Sequence, residues 1–402
     1  MQILSIPEKP VKNPIKITHG KHLLGEFIGD ESGATLIIFG SVHGNETSGV
    51  WAIRRVLPKL EKFKNQLNGR IYLLAGNTRA MQKGIRFIDS DLNRHWTAEN
   101  IEHNRADSHI TTNRAEDLEL TELLEILEKI ISTAKNEVFA MDLHSTSAEG
   151  VPFATVGDTL RNRAFAQKFP VTILLGIEEQ LEGTILEFLS NRGAVTFGYE
   201  GGQHDAESTV DNHEALIWLG LVNAGILQKE VFPEFEHHYE TLAEATGKPR
   251  IVEIRYRHAI SETDDFKMEL GFNNFQPVKH GELLANDKHG AIKSSEKGLI
   301  LMPLYQKLGE DGFFLGREVA PFWLWFSGVL RRLKIGNLMS FLPGVKKSDY
   351  DEDIFEINTD IARVFPLQIF HLLGFRKLRW RDNKLIVSRR KFDTESPFKK
   401  RN

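Results

Sequence analysis

Between Ile15 and Val222, short apolar runs rich in branched residues alternate with longer amphipathic stretches. That alternation limits this part of the chain to a layered α/β fold. Thr35–Phe39, Arg70–Ala75, Glu137–Leu143, Thr172–Leu175 and Ala194–Tyr199 read as strands. They are short and largely apolar, as expected of strands covered by helices on both faces. Thr47–Leu57, Leu118–Thr133, Thr159–Lys168, Gly183–Asn191 and Val210–Leu221 read as helices. The leucines, isoleucines and acids of 118–133 fall at helical spacing, which is core packing. The order predicts an α/β sandwich on a mixed, mainly parallel sheet, where sites form beyond the carboxyl ends of the strands.

Three chemically notable residues fall at such ends. His43-Gly44-Asn45-Glu46 follows the first run, His144 follows the third, and Glu200 follows the fifth. Two histidines and a glutamate are a known ligand set for a catalytic zinc with one position open. The chain has no cysteine, so any zinc must be held by nitrogen and oxygen. Metal-assisted hydrolysis is the chemistry these residues suggest. Glu200 is a carboxylate able to take a proton from the attacking water and pass it to a leaving amine. Asp142, two residues before His144, could orient either histidine; the role of His204 stays open beside it. Glu178, Glu179 and Glu182 read as an acidic surface run without a part in the chemistry. Arg86 and Asp91-Leu92-Asn93-Arg94 form a second cluster. An arginine fork with a neighbouring asparagine suits a carboxylate, and an arginine near a metal can hold a developing oxyanion. Asp91 reads as a residue that positions this loop.

Composition bounds the rest. A formal charge of -4 gives no basic field for nucleic acid. Met1 to Lys12 lacks the apolar core of a signal peptide, which makes a cytoplasmic enzyme the expectation. The pattern changes near Glu230–Lys248. Residues 15–240 read as the hydrolase domain, and 250–316 as a β-rich domain of short strands and glycine turns, a small barrel or sandwich. Residues 317–402 read as an extension with helices near 323–333 and 360–373, a hairpin over 378–387, and a frayed basic tail past Arg389. Within it, 320–334 is aromatic and then basic. It reads as a helix packed on a domain or subunit surface, with a homo-oligomer or membrane contact as the further alternatives.

The motifs His43-Gly44-Asn45-Glu46, Asn77-Thr78-Arg79-Ala80, Arg86 with Asp91-Leu92-Asn93-Arg94, Asp142-Leu143-His144 and Glu200-Gly201-Gly202 together resemble the succinylglutamate desuccinylase/aspartoacylase family over about residues 15–225. The resemblance implies a three-layer sandwich of the zinc carboxypeptidase-like type with a C-terminal β-rich domain. It implies one zinc per chain on His43, Glu46 and His144, and Glu200 as base and acid. By the same resemblance Arg86 would polarise the carbonyl, while Asn93 and Arg94 would bind the substrate carboxylate. The expected activity is amide hydrolysis of a small, carboxylate-bearing N-acyl amino acid or related acylated amine. A carboxypeptidase acting on peptides and a non-catalytic binding protein are the alternatives.

Overall fold

The computed structural model describes residues 21–106, 114–248, 250–305, 309–348, 353–358, 367–381 and 384–398. Its first strands are β1 (Leu23–Ile28), β2 (Ala34–Gly40), β3 (Gly69–Ala75), β4 (Val138–Thr146), β5 (Phe153–Val156), β6 (Thr172–Leu175) and β7 (Val195–Gln203). The middle of the chain gives β8 (Ile251–Ala259), β9 (Lys267–Met268), β10 (Gln276–Val278), β11 (Leu283–Asp287), β12 (Gly290–Lys293), β13 (Gly298–Leu301) and β14 (Asp311–Glu318). The extension adds β15 (Val345–Lys347), β16 (Ile354–Ile357), β17 (Phe375–Arg381) and β18 (Lys384–Arg389). The helices are α1 (Ser48–Leu60), α2 (Thr78–Lys83), α3 (Ala98–Ala106), α4 (Ala115–Thr133), α5 (Leu160–Ala166), α6 (Ile185–Ser190), α7 (Glu207–Asn223), α8 (Phe235–Thr246), α9 (Pro321–Arg332) and α10 (Leu367–Leu372).

A mixed, 11-stranded sheet in the order β1-β3-β2-β4-β7-β5-β6-β8-β14-β13-β10 forms the middle layer. Its site-bearing strands β2, β4 and β7 pair in parallel. Successive side chains of a strand leave opposite faces of a sheet, and here both faces are covered. Leu36 and Ile38 of β2 join a core with α1 and α7, while Ile37 and Phe39 join a second core with α4 and α6. Every residue of β2 is buried, which explains its unbroken apolar run. At roughly 25 cal/mol per Å2 of apolar surface, these two cores hold the layers together. The five expected strands and five expected helices all form. β1, β5, α3 and α8 lacked a clear sequence signal: β1 is an edge strand of mixed polarity, and β5 has only 4 residues.

The segment after 250 corrects one expectation. Of the barrel and sandwich alternatives the barrel falls: β8 pairs in parallel with β6, and β14, β13 and β10 continue the central sheet outward. Val278, Ile300, Phe313 and Leu315 of these strands nevertheless pack face to face on Met268, Leu284 and Ala285, as in a sandwich. Only β9, β11 and β12 make a separate small sheet, and β15, β16, β18 and β17 make another in the extension. The hairpin over 378–387 forms as β17–β18, its residues 382 and 383 lying outside the described ones, as do 360–366 of the second expected helix. The tail past Arg389 is not frayed through 398. Phe398 is buried in the core beside α4 and α6, and the buried Asp393 accepts from Arg331.

Asp158, just before α5, is the hub that fastens this extension. Its carboxylate accepts from Arg163 (2.6 and 2.9 Å), from Arg331 of α9 (3.1 Å) and from Arg376 of β17. Burial alone would raise this carboxyl, but the arginines around it hold it well below the usual carboxylate range. Removing one partner of a buried ion cluster strands the others without solvent. Asp158→Ala is therefore expected to lose about 3–5 kcal/mol of unfolding free energy, read from urea denaturation. A folded pKa below the unfolded one gives stability present in full above the unfolded value of about 3.9 and lost as pH falls through the folded value. The gap between wild type and variant should accordingly persist at neutral pH and narrow only in strong acid.

Candidate active site

His43 and Glu46 sit in the turn between β2 and α1, and His144 lies within β4. β4 and β7 run a few residues further than the sequence suggests, so His144 and Glu200 stand inside strands rather than past their ends. The β2–β4 register sets Gly40 opposite Leu143, and the β4–β7 register sets His144 opposite Glu200. Ser41 takes the left-handed conformation (φ 56°), sparsely populated for a residue with a Cβ, and its hydroxyl donates to the Glu46 carbonyl at 3.0 Å. That turn brings the Glu46 carboxylate between the two imidazoles. Oε1 lies 2.9 Å from His43 Nδ1 and Oε2 lies 3.0 Å from His144 Nδ1. One donor atom from each of the three residues falls within 4.8 Å of the others, and all three residues are buried.

The surroundings fit a cation there. His144 Nε2 donates to Asp142 Oδ2 at 2.6 Å, and His43 Nε2 lies 3.2 Å from Asp91 Oδ1. An acid on the far nitrogen of each ring fixes its orientation and leaves Nδ1 as the ligating atom. This answers the question about Asp142: side chains two apart on a strand share a face, so it orients its own neighbour His144. Asp91 does more than position a loop, because it also holds His43. Burial opposes charge on His144, yet Asp142 and Glu46 outweigh it and push its pKa well above the usual range. Burial likewise would raise Glu46, but His43 and His144 hold it well below the ordinary value. Negative charge is concentrated around a small space that favours positive charge.

Two glycines admit the neighbours that shape this space. A Cβ on Gly44 would sit 2.4 Å from the backbone of Ala80 and Met81, and its N–H donates to the Arg86 carbonyl at 2.9 Å. This close approach carries Arg86 to the site. Its guanidinium donates to Asp91 Oδ2 (3.1 Å) and Glu46 Oε1 (3.3 Å) and lies 2.8 Å from His43 Nε2. Behind it, the buried Glu116 of α4 accepts from the backbone N–H groups of Ile88 (2.8 Å), Asp89 (2.8 Å) and Ser90 (3.2 Å), fixing the loop to Asp91. On the other side, a Cβ on Gly201 would meet His213 Nε2 at 2.4 Å. His213 donates from that nitrogen to the His144 carbonyl at 2.9 Å, and burial lowers its pKa to about 4, so it is neutral. Glu116 and His213 escaped the sequence reading because each lies inside a helix whose periodicity marks only packing.

Glu200 completes the wall. Its carboxyl is pushed up to about 7, chiefly by burial and against the pull of His144, and its Oε2 is buried without a hydrogen-bond partner. His43, Glu46, Arg86, Asn93, Arg94, His144 and Glu200 all line one cavity, so the structure brings every expected site residue together. Asn93 Oδ1 accepts from the Ile185 N–H at the start of α6 (3.0 Å). Arg94 faces the β-rich segment with long ion pairs, its Nε 3.4 Å from Glu310 and its Nη2 3.5 Å from Asp311. His204 also lines the cavity; its Nδ1 lies 2.8 Å from Ser145 Oγ and its Nε2 is buried without a partner. The acidic run is corrected at two positions. Glu178 and Glu179 are buried, not surface residues. Burial raises the Glu178 carboxyl, which lines the cavity and accepts from Thr155 Oγ1 at 3.0 Å. Glu179 accepts from Arg390 of the extension at 2.7 Å.

Residues 32–216 match the family model described as the succinylglutamate desuccinylase/aspartoacylase catalytic domain. A probable aspartoacylase of Prochlorococcus marinus (strain MIT 9301) is 35% identical over 288 residues, 69% of this chain and 89% of that protein. A second, from strain MIT 9215, is 32% identical over 152 residues, covering 37% of this chain and 48% of its own length. The crystal structure of a succinylglutamate desuccinylase/aspartoacylase from Rhodobacter sphaeroides superposes with a TM-score of 0.54 at 17% identity, over 74% of this chain and 88% of that one, a likeness of fold. The motifs, the fold and the relatives agree: the chain belongs to the succinylglutamate desuccinylase/aspartoacylase family.

Proposed function

We propose that this protein is a zinc-dependent amidohydrolase that cleaves the amide bond of an N-acyl amino acid or a related small acylated amine. Membership in a hydrolase family and a His/Glu cluster fit for one metal ion support the broader half of that reading. The observation that carries the rest is the meeting of that cluster with a buried, proton-ready carboxyl and two arginines in one cavity.

His43, Glu46 and His144 would hold the zinc, which when bound supplies a Lewis acid and an open position for the reacting groups. Glu200 accepts a proton from the attacking water and returns it to the nitrogen of the leaving amine. A buried carboxyl shifted toward neutrality suits both halves of that task. The Arg86 guanidinium, held by Asp91 and Glu46, offers fixed positive charge to the carbonyl oxygen as it becomes negative. Asn93 and Arg94 hold the substrate carboxylate; Arg94 lines the cavity with only long ion pairs to Glu310 and Asp311, and an arginine fork binds both oxygens of a carboxylate. A peptide substrate would need an open groove. Met302, Pro303, Leu304, Glu310 and Asp311 instead contribute a wall of the cavity, which favours a small acylated amine.

Metal analysis of protein purified without chelator is expected to find one zinc per chain, and His144→Ala should lose it together with activity. Full zinc content in that variant would contradict the ligand assignment. Glu200→Gln should keep the metal and lower turnover of N-acyl amino acids by about 10^2–10^4-fold, the usual contribution of a general base. Undiminished turnover would remove Glu200 from the mechanism. With Arg94→Ala, KM should rise mainly for substrates bearing a carboxylate and change little for the matching neutral amides; equal losses on both would end the proposed role of that arginine.

A further inference from the structure

We propose that the outer face of α9 and the turn after it form a docking surface for an anionic lipid layer. α9 is built inside out. Toward the protein it directs Ser327, Gly328 and Arg331; the hydroxyl of Ser327 donates to the Leu372 carbonyl (2.7 Å), and Arg331 is sealed among Asp158 and Asp393. Away from the protein it directs Phe322, Trp325 and, just past its end, Leu333, which are 58%, 63% and 66% exposed. Trp323 is exposed beside them, and its ring lies 5.3 Å from that of Phe322, so the aromatics pack on one another rather than into a core. The 3-10 turn Ile335–Phe341 adds Leu338 and Phe341, the latter 82% exposed. Among the side chains whose burial is described, every exposed phenylalanine and tryptophan lies between 322 and 341. The rings of Phe322, Trp323, Trp325 and Phe326 lie within 6.3 Å of one another in pairs, and exposed apolar surface of this kind is unfavourable in water and marks a surface that meets a partner.

Charge selects the partner. Residues 319–348 contain no aspartate or glutamate, although the whole chain has 55 of them and a formal charge of -4. Arg332 and Lys334 are exposed at the end of α9 and just past it, in the same segment as the aromatics. Were two copies to meet symmetrically through this face, the same patch, with formal charges of one sign only, would stand on both sides. Those two cations would then face like charges, with no carboxylate in the segment to answer them. An anionic headgroup layer answers them and takes up tryptophan and phenylalanine at its boundary with the acyl chains. α9 has 12 residues, too few to cross a bilayer core of about 30 Å, and among the described residues no helix is long and apolar enough to span one. It therefore lies along the surface. Arg331 and Arg376 tie the extension to Asp158, so docking would hold the catalytic part at the membrane as well.

The test is flotation of the full-length chain with phosphatidylcholine vesicles, with and without phosphatidylglycerol. The wild type should float with the anionic vesicles, less so as salt rises, and stay behind with phosphatidylcholine alone. R332Q/K334Q should bind the anionic vesicles about thirtyfold more weakly, near fivefold per charge removed. F322S/W325S should lose binding altogether, whereas W325F should retain it. All these variants should hydrolyse soluble substrate as the wild type does, which shows that they fold. The proposal is overturned if the wild type ignores both vesicles, if the substitutions leave binding unchanged, or if sedimentation shows that F322S/W325S dissolves a dimer instead.

Discussion

The placement of β4 between β2 and β7, parallel to both, is the constraint from which the site follows. A parallel ladder fixes which residues stand side by side, and here it sets His144 beside Glu200 while bringing the exit of β2 next to the end of β4. Slipping one strand by a single residue would turn His144 and Asp142 to the opposite face of the sheet. The register is protected by burial on both sides, since Met141 and Leu143 enter one core and Val138 and Ala140 the other. Hydrophobic packing thus supplies the positional accuracy that the polar groups need.

On that frame the polar groups form a single electrostatic unit. Glu46 reaches both histidines, Asp91 and Asp142 steady their far nitrogens, and Arg86 is shared between Glu46 and Asp91. Each acid would be costly in a buried place by itself. Together they suit a divalent cation, and the buried side chains around them keep the ligand rings from turning. Glu116 and His213 act at one remove, through backbone groups of the loop before Asp91 and of His144. These two act through hydrogen bonds to backbone, which do not depend on flexible side chains at both ends.

The extension is joined to the sheet by charge as much as by apolar packing. Arg331, Arg376 and Arg390 enter from it and meet Asp158, Glu253 and Glu179 of the earlier chain. Such clusters are directional, and they fix orientation where a greasy contact would allow sliding. Because Glu179 adjoins the cavity residue Glu178, the extension also braces one wall of the site. The same segment leaves its aromatic residues facing outward, since its inner face is committed to those ion pairs.

By itself the sequence determined the layered α/β class, the strands and helices of the first half, and the types of residue able to bind a metal. Those features are local: apolar runs buried on both faces and motifs such as His43-Gly44-Asn45-Glu46 carry their meaning in a few adjacent positions. Only the tertiary structure decided that β8 would extend the central sheet, that Glu178 and Glu179 would be buried, and that Asp142 would serve His144. It alone recruited Glu116 and His213, and turned the aromatic side of α9 outward. The reason is physical. The burial and charge of these groups depend on neighbours far away in the chain, such as Arg390 beside Glu179, and no local pattern records who those neighbours are.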